Sequence, residues 1–276
     1  MLTKEKTKFT VSDLTPRIGS EIKADAETLV SGTYAAEIRA LLEVRGVVAF
    51  REIRLTDRQQ VAFTKTLGSI VDEGENNIYK ITMDTTENPR AEYLKGAFYW
   101  HIDGTMLKVP MFASVLSSWR LSPTGGQTEF CNTYAAYEDL PESEKKTLKK
   151  LKVVHSFEVA QRYVNPEPTY AVLQEWQKKG TNTLPLVWKH RSGRKSLVLG
   201  CTAAYVVGMS PEESSALLCR LRDYATQPQF VYRHEWKLGD MVIWDNTGTM
   251  HRALPYALDS GRMMHRSILQ GEESFA

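Results

Sequence analysis

Phe98-Tyr99-Trp100-His101-Ile102-Asp103-Gly104-Thr105 is the stretch on which the reading of this chain turns. Three aromatics lead into a histidine, one apolar residue follows, and an aspartate comes next. In an extended strand, residues two apart project from one face, so His101 and Asp103 are expected to point at one spot. An imidazole and a carboxylate converging in this way supply two of the three ligands of a facial iron(II) site. The third, a second histidine, has to come from a distant strand, and His251 is the candidate. A lone His-x-Asp carries little weight, because a strand-end histidine bonded to a turn aspartate has the same spacing.

The weight comes from the C-terminal part of the chain. His251 follows the turn Asn246-Thr247-Gly248, where a ligand can project into a barrel mouth. On the next expected strand Arg262, Met264 and Arg266 share one face, with Met263, His265 and Ser267 on the other. Two arginines facing a barrel interior are costly without anionic partners. A dicarboxylate co-substrate provides such anions, and guanidinium groups grip carboxylates bidentately. The plain alternative is an outward-facing strand with solvated arginines.

Taken together, His101-x-Asp103, Gly125-Gly126-Gln127-Thr128, Trp244-Asp245-Asn246, His251-Arg252-Ala253, Arg262 and Arg266 resemble the taurine dioxygenase / phenoxyacetate dioxygenase (TauD/TfdA) family of iron(II), 2-oxoglutarate-dependent oxygenases. The likeness runs from about residue 40 to the C-terminus. In that family one arginine follows the distal histidine by about 11 residues and a second by about 15. Arg262 and Arg266 hold those two positions after His251. The resemblance implies that His101, Asp103 and His251 bind Fe(II). It implies that Thr128 and Arg262 hold the distal carboxylate of 2-oxoglutarate, whose keto-acid end chelates the metal and leaves a position for O2. Arg266 is implied near the keto-acid carboxylate and, in relatives, the acidic group of the primary substrate. Trp244 and Asp245 are expected to shape core and turn.

The implied reaction oxidises a C–H bond of a small or medium organic molecule, an aromatic or apolar carboxylate among the options, and releases succinate and CO2. Hydroxylation, hydroxylation-driven cleavage and desaturation are all open outcomes. An intact Asp103 argues against a halogenase, where a small residue replaces the carboxylate. Taurine enzymes use a histidine upstream of the metal motif and an asparagine four residues before its first histidine. Here no histidine precedes His101 and that position is Ala97, so taurine is not the expected substrate. Tyr79, Phe98, Tyr99, Phe130, Tyr163 and Trp188 are candidates for a larger apolar pocket or, equally, for core. Lys80, Lys95 and Lys108 are near enough in sequence to meet a carboxylate, although exposure is the ordinary state of a lysine. His155, His190 and His234 have no ligand-spaced partner and are read as structural or surface residues.

Composition narrows the class. Of the 276 residues 42% are apolar and 25% charged, which is globular rather than disordered. A net charge of +2 gives no reason to invoke nucleic acid or a membrane surface. Cys131, Cys201 and Cys219 are scattered without a C-x-x-C, against a disulfide scaffold or zinc ribbon and in keeping with a reducing compartment. The N-terminus, Met-Leu-Thr-Lys-Glu-Lys-Thr-Lys, lacks the apolar core of a signal peptide. The uncharged run Ser196–Pro211 is too short and too rich in small polar residues to span a bilayer. A cytoplasmic enzyme with a small-molecule substrate is expected, and a homo-oligomer is compatible with it.

The expected elements are short strands and turns over 9–30, a helix over 34–44 stopped near Gly46, and a strand over 47–50. A helix capped by Thr56 and Gln59 and ended by Gly68 follows, then strands over 77–83 and 112–121. Two short helices split at Pro141 occupy 134–151. A hairpin turns at 191–194, a helix opens at Ser210-Pro211, and strands over 230–236, 241–244, 251–256 and 262–269 close the chain. Residues 84–97 read as an active-site lid and 157–185 as an irregular, loop-rich insert within one domain spanning 1–276. The fold class is mainly β with helical insertions, a double-stranded β-helix or jelly roll. Two other functions fit that frame: a non-catalytic jelly-roll binding protein, and a metal-dependent hydrolase working through the same triad without oxygen or keto acid.

Overall fold

Val47-Val48-Ala49-Phe50 is buried at every position, as a strand covered on both faces requires. The computed structural model describes residues 9–275, and the charged N-terminal octet read above lies outside them. The chain opens with β1 (Thr10–Asp13), β2 (Ser20–Lys23), α1 (Ala26–Val30), α2 (Ala35–Arg45) and β3 (Val47–Phe50). Then come α3 (Asp57–Leu67), β4 (Tyr79–Ile81), a 3-10 helix (Ala91–Phe98), β5 (Ala113–Arg120) and β6 (Thr128–Asn132). The middle holds α4 (Thr133–Glu138), α5 (Glu142–Leu148), β7 (Lys152–Ser156), α6 (Phe157–Arg162) and α7 (Tyr170–Gln177). It continues through β8 (Thr181–Pro185), β9 (Val187–Lys189), β10 (Lys195–Leu197), β11 (Ala203–Val206) and α8 (Pro211–Ala225). The end is β12 (Val231–His234), β13 (Met241–Asp245), β14 (Thr249–Ala253) and β15 (Met263–Ile268).

A seven-stranded sheet runs β1-β2-β3-β13-β5-β15-β4, and a three-stranded sheet runs β12-β6-β14. Every strand pair is antiparallel except β2 with β3. The period-2 rule sorts the buried strands between two cores. Val48, Phe50, Met241, Ile243, Ala113 and Val115 face a cluster shared with α1, α2 and α3. Their neighbours Val47, Ala49, Val242, Trp244 and Leu116 meet Phe130 and Tyr232 of the small sheet. That second cluster is the inside of a jelly roll, and Met264 of β15 lies in it; Arg266 of the same strand and Arg262, the residue just before it, both line a cavity there. A third cluster packs α4, α8, β9 and β10 around Trp188.

Local signals set most boundaries. Thr56 and Ser210 each complete a reciprocal capping box, with Gln59 and Glu213. Gly46 ends α2 in the left-handed region at φ 70°, which a side chain would disfavour.

Three expectations need correction. Phe98–Thr105 is not a strand: Phe98 ends the 3-10 helix, His101 forms one isolated bridge with His251, and the chain turns at 103–106. Contact with the free edge of β14 lasts a single residue before the turn carries the chain away. Residues 157–185 are not structureless, since Ser156 caps α6, Thr169 caps α7 and β8 pairs along β7. Pro166, Pro168 and Gly180 separate these short pieces and hide their periodicity. The polar segment before the metal motif is likewise helical in its second half. Strands β6, β7 and β11 and helix α1 had no clear sequence signature. Among the described residues no helix is long and apolar enough to cross a membrane.

Asp240 ties β13 to the loop after β3, and it supplies a test of the frame. Its buried carboxylate accepts from Arg51, from His234 and from the backbone N–H groups of Glu52 and Lys237. Burial opposes the charge, but the His234 bond and the two backbone donors outweigh it and hold the carboxyl at about 2. A folded value below the unfolded one gives stability that is present above about pH 4 and lost as pH falls through about 2. Asp240→Asn is therefore expected to cost about 2 kcal/mol at neutral pH. In urea unfolding curves its deficit against the parent should shrink below about pH 4.

Candidate active site

His101 and His251 are brought together by backbone before chemistry enters. Each N–H donates to the other's carbonyl, at 3.0 and 2.9 Å, and the imidazole centroids lie 4.1 Å apart. The turn after His101 then returns Asp103 beneath both rings. Asp103 Oδ1 is 3.8 Å from His101 Nε2 and Oδ2 is 3.8 Å from His251 Nε2. These gaps are too long for hydrogen bonds and suit three donors grouped around one cation. One ligand atom from each residue lies within 4.8 Å of the others.

The protonation pattern fits a metal. His101 Nδ1 lies 2.8 Å from the Tyr99 carbonyl, which can only accept, so Nδ1 carries the hydrogen and Nε2 turns its lone pair inward. Burial pushes His251 well below its ordinary value, with His101 and Arg266 adding to the effect against Asp103, so this imidazole is a neutral donor. Burial opposes the charge on Asp103, but His251, Arg266, His101 and the Ser114 hydroxyl together hold it below the usual carboxylate range. Two imidazoles and one carboxylate oxygen are the donor set of a facial iron(II) centre.

Beside the triad lies a buried cation. Arg262 is 4% exposed, donates to the Gly126 carbonyl at 3.1 Å and lies over the Tyr256 ring. No carboxylate among the described residues pairs with it, although a buried guanidinium calls for an anion. Burial presses it below its ordinary value, with Tyr256 opposing. Thr128 accepts from Trp236 Nε1 at 3.0 Å; an indole only donates, so the threonine O–H remains free to donate to an incoming anion. Arg266 differs. It pairs with Glu73 at 3.0 Å, approaches Asp103 Oδ2 to 3.7 Å and lies over Tyr79. The residues present thus fit both a divalent metal and a dicarboxylate next to it.

All six expected site residues line one cavity of about 440 Å³. Trp244 lines it as well, while Asp245 is turned away onto Thr247. Of the aromatics proposed for the pocket none lines it: Phe130 and Trp188 are core, and Tyr99 and Tyr163 border a separate cleft. The pocket's aromatic surface comes instead from Tyr93, Phe157 and Trp244. Lys80 and Lys95 are spent on Glu87 and Glu92, and no lysine lines the cavity. His155, His190 and His234 are buried and bonded to Thr202, Ser196 and Asp240. Gln161, Thr105, Thr202 and Trp236 were missed: Trp236 closes the alternating run 230–236 and reads as an ordinary strand residue, and the other three lie where nothing periodic announces their direction.

Comparison with known proteins agrees with this geometry. The model of the family described as "Taurine catabolism dioxygenase TauD, TfdA family" matches residues 10–268. An alpha-ketoglutarate-dependent 2,4-dichlorophenoxyacetate dioxygenase of Burkholderia sp. (strain RASC) is 33% identical over 275 residues, covering 90% of this chain and 91% of the relative. An alpha-ketoglutarate-dependent sulfate ester dioxygenase of Pseudomonas putida is 32% identical, covering 93% and 87%. The crystal structure of AAD-2 in complex with Mn(II) and N-oxalylglycine superposes with a TM-score of 0.84 at 30% identity, covering 98% of this chain and 100% of that one.

The placement of His251 depends on a close approach one turn upstream. A Cβ on Gly248 would lie 1.7–2.4 Å from ring carbons of Tyr134, which is itself buried and bonded to Thr247. Gly248→Ala should lower unfolding stability by about 3 kcal/mol. It should also weaken Mn(II) binding in calorimetric titration, because β14 carries His251. Unchanged stability and affinity would show that Tyr134 yields freely.

Proposed function

The chain belongs to the taurine catabolism dioxygenase TauD, TfdA family, and on that premise we propose that His101, Asp103 and His251 hold its iron. In the same proposal Thr128 and Arg262 hold the distal carboxylate of 2-oxoglutarate. The enzyme is an Fe(II)- and 2-oxoglutarate-dependent dioxygenase acting on a small organic substrate. The observation that carries the residue assignment is the convergence of the triad beside Arg262, a buried cation with no described anionic partner.

When bound, the iron and keto acid supply the redox chemistry, in which oxygen is reduced, 2-oxoglutarate yields succinate and CO2, and a substrate C–H bond is oxidised. The chain's residues supply position and exclusion of water. Arg262 and the free Thr128 hydroxyl fix the far carboxylate, so the keto-acid end has one way to reach the triad. Arg266, held by Glu73 and facing Asp103, keeps the acid ligand ionised and offers its remaining N–H surface to an acidic group near the metal. The buried Nε of Arg266 has no partner among the described residues, in keeping with that role.

The primary substrate is read as a monoanionic organic acid with an apolar body. Arg262 and Arg266 are the cavity's cationic side chains, and most of the remaining wall is hydrocarbon. One domain spans the chain, and 84–97 serves as its lid, supported by Tyr93, Leu94, Gly96 and Ala97 lining the cavity. A cytoplasmic location and a homo-oligomeric state remain compatible with the composition.

Succinate release across phenoxyacetates, alkyl carboxylates and sulfate esters, with oxygen-dependent mass shifts, tests the reading. Acids should stimulate turnover of 2-oxoglutarate above its substrate-free rate; none doing so would sink the acid assignment. Arg262→Gln should raise the KM for 2-oxoglutarate by about 10- to 100-fold, the loss of a charge-assisted bond pair. It should leave Mn(II) affinity unchanged. A normal KM in that variant would remove Arg262 from the site.

A further inference from the structure

Two glutamines are buried in this protein, and they are used in opposite ways. Gln60 is fully buried and completely occupied: Nε2 donates to the Val115 and His265 carbonyls and to Ser267 Oγ, and Oε1 accepts from Ser117. Gln161, on the last turn of α6, is 7% exposed, yet its side-chain amide has no hydrogen-bond partner among the described residues. Its carbonyl ends the helix by accepting from Val164 and Asn165, so the residue is well anchored. The side chain lines the cavity beside Gly96, where a Cβ would come within 3.9 Å of Nε2. The amide is reached from the cavity, and leaving it with nothing to bond once a ligand excludes water is costly. A cavity water can satisfy it in the free enzyme, and whatever displaces that water has to replace its bonds.

The surroundings define what fits. Around Gln161 the wall is built by α6 and the 3-10 helix: Tyr93, Leu94, Ala97, Phe157 and Ala160, all apolar or aromatic. The charged lining residues are Asp103 beside the two histidines, and Arg262 and Arg266. A second charge on the substrate would lie unpaired against the α6 wall, while pure hydrocarbon would strand the amide.

We propose that Gln161 is a specificity-determining residue for the primary substrate, offering its amide to one uncharged hydrogen-bonding substituent, such as a hydroxyl, ether or amide oxygen, on an otherwise apolar body. This rests on the organic-acid reading above and extends it to the other end of the molecule. The geometry favours acids with a neutral polar tail over isosteric hydrocarbon acids and over diacids.

The test uses the purified enzyme with Fe(II), 2-oxoglutarate and matched probes: 2-, 3- and 4-hydroxyphenoxyacetate, the corresponding methyl isomers, and the methyl esters of both sets. In the parent, one hydroxyl isomer should exceed its methyl isostere about tenfold in kcat/KM for stimulated succinate release, the worth of one well-placed hydrogen bond. Gln161→Leu should abolish that preference, chiefly through KM, while substrate-free 2-oxoglutarate turnover and its KM stay unchanged. Gln161→Met reads the same contrast should the leucine variant unfold. A preference that survives both substitutions, or no preference in the parent, overturns the role of Gln161. Stimulation by esters but not acids overturns the acid reading alone, with Gln161 then judged on the ester pairs. No stimulation by either series overturns both.

Discussion

The reciprocal pair of backbone hydrogen bonds between His101 and His251 is the constraint on which the site depends. Two residues separated by most of the chain are locked to one spacing by groups that every residue carries. Their side chains then have only to rotate inward. β14 is in turn held along β6 in the small sheet, so the same strand that carries His251 is fixed on both of its edges. The third ligand costs little more, because the turn after Ile102 returns Asp103 to the same place. In this way a long-range contact in the site is fixed by backbone bonds, which suits a centre whose geometry must not drift.

Burial on both faces of the large sheet gives that centre its surroundings. One face is covered by α1, α2 and α3, and the other is closed by the small sheet. The interior of the jelly roll is thereby dry enough for charges to be felt strongly. Within it Arg262 and Arg266 are treated differently. Arg266 has Glu73 and faces Asp103, whereas Arg262 has a carbonyl and an aromatic ring but no described carboxylate. The asymmetry separates a guanidinium already paired with a carboxylate from one that has none among the described residues. Gln60 and Gln161 repeat the contrast in uncharged form, one saturated by the sheet and one left facing the cavity.

Polar residues that looked alike in the sequence separate cleanly once partners are counted. His155, His190 and His234 are as buried as the metal histidines, but each has a serine, threonine or aspartate of its own. Lys80 and Lys95 are matched to glutamates within a few residues, Lys108 is exposed, and none of the three lines the cavity. Aromatics near the motif went to core or to a neighbouring cleft, because the direction of a side chain in irregular backbone has no period to reveal it.

From the sequence alone came the jelly-roll class, the helix ends marked by Thr56, Gly46 and Ser210, and the six expected site residues that line one cavity. These rest on short-range rules or on fixed spacings: a capping box needs four residues, and Arg262 and Arg266 stand at set distances after His251. Only the tertiary structure decided that His101 meets His251 through an isolated bridge rather than a strand, and that 157–185 forms helices. It likewise decided which of two inward arginines is already paired, and that Gln161 turns an unused amide into the cavity. The physical reason is the same in each case. Whether a buried polar group is satisfied depends on atoms brought from remote parts of the chain, and no local pattern carries that information.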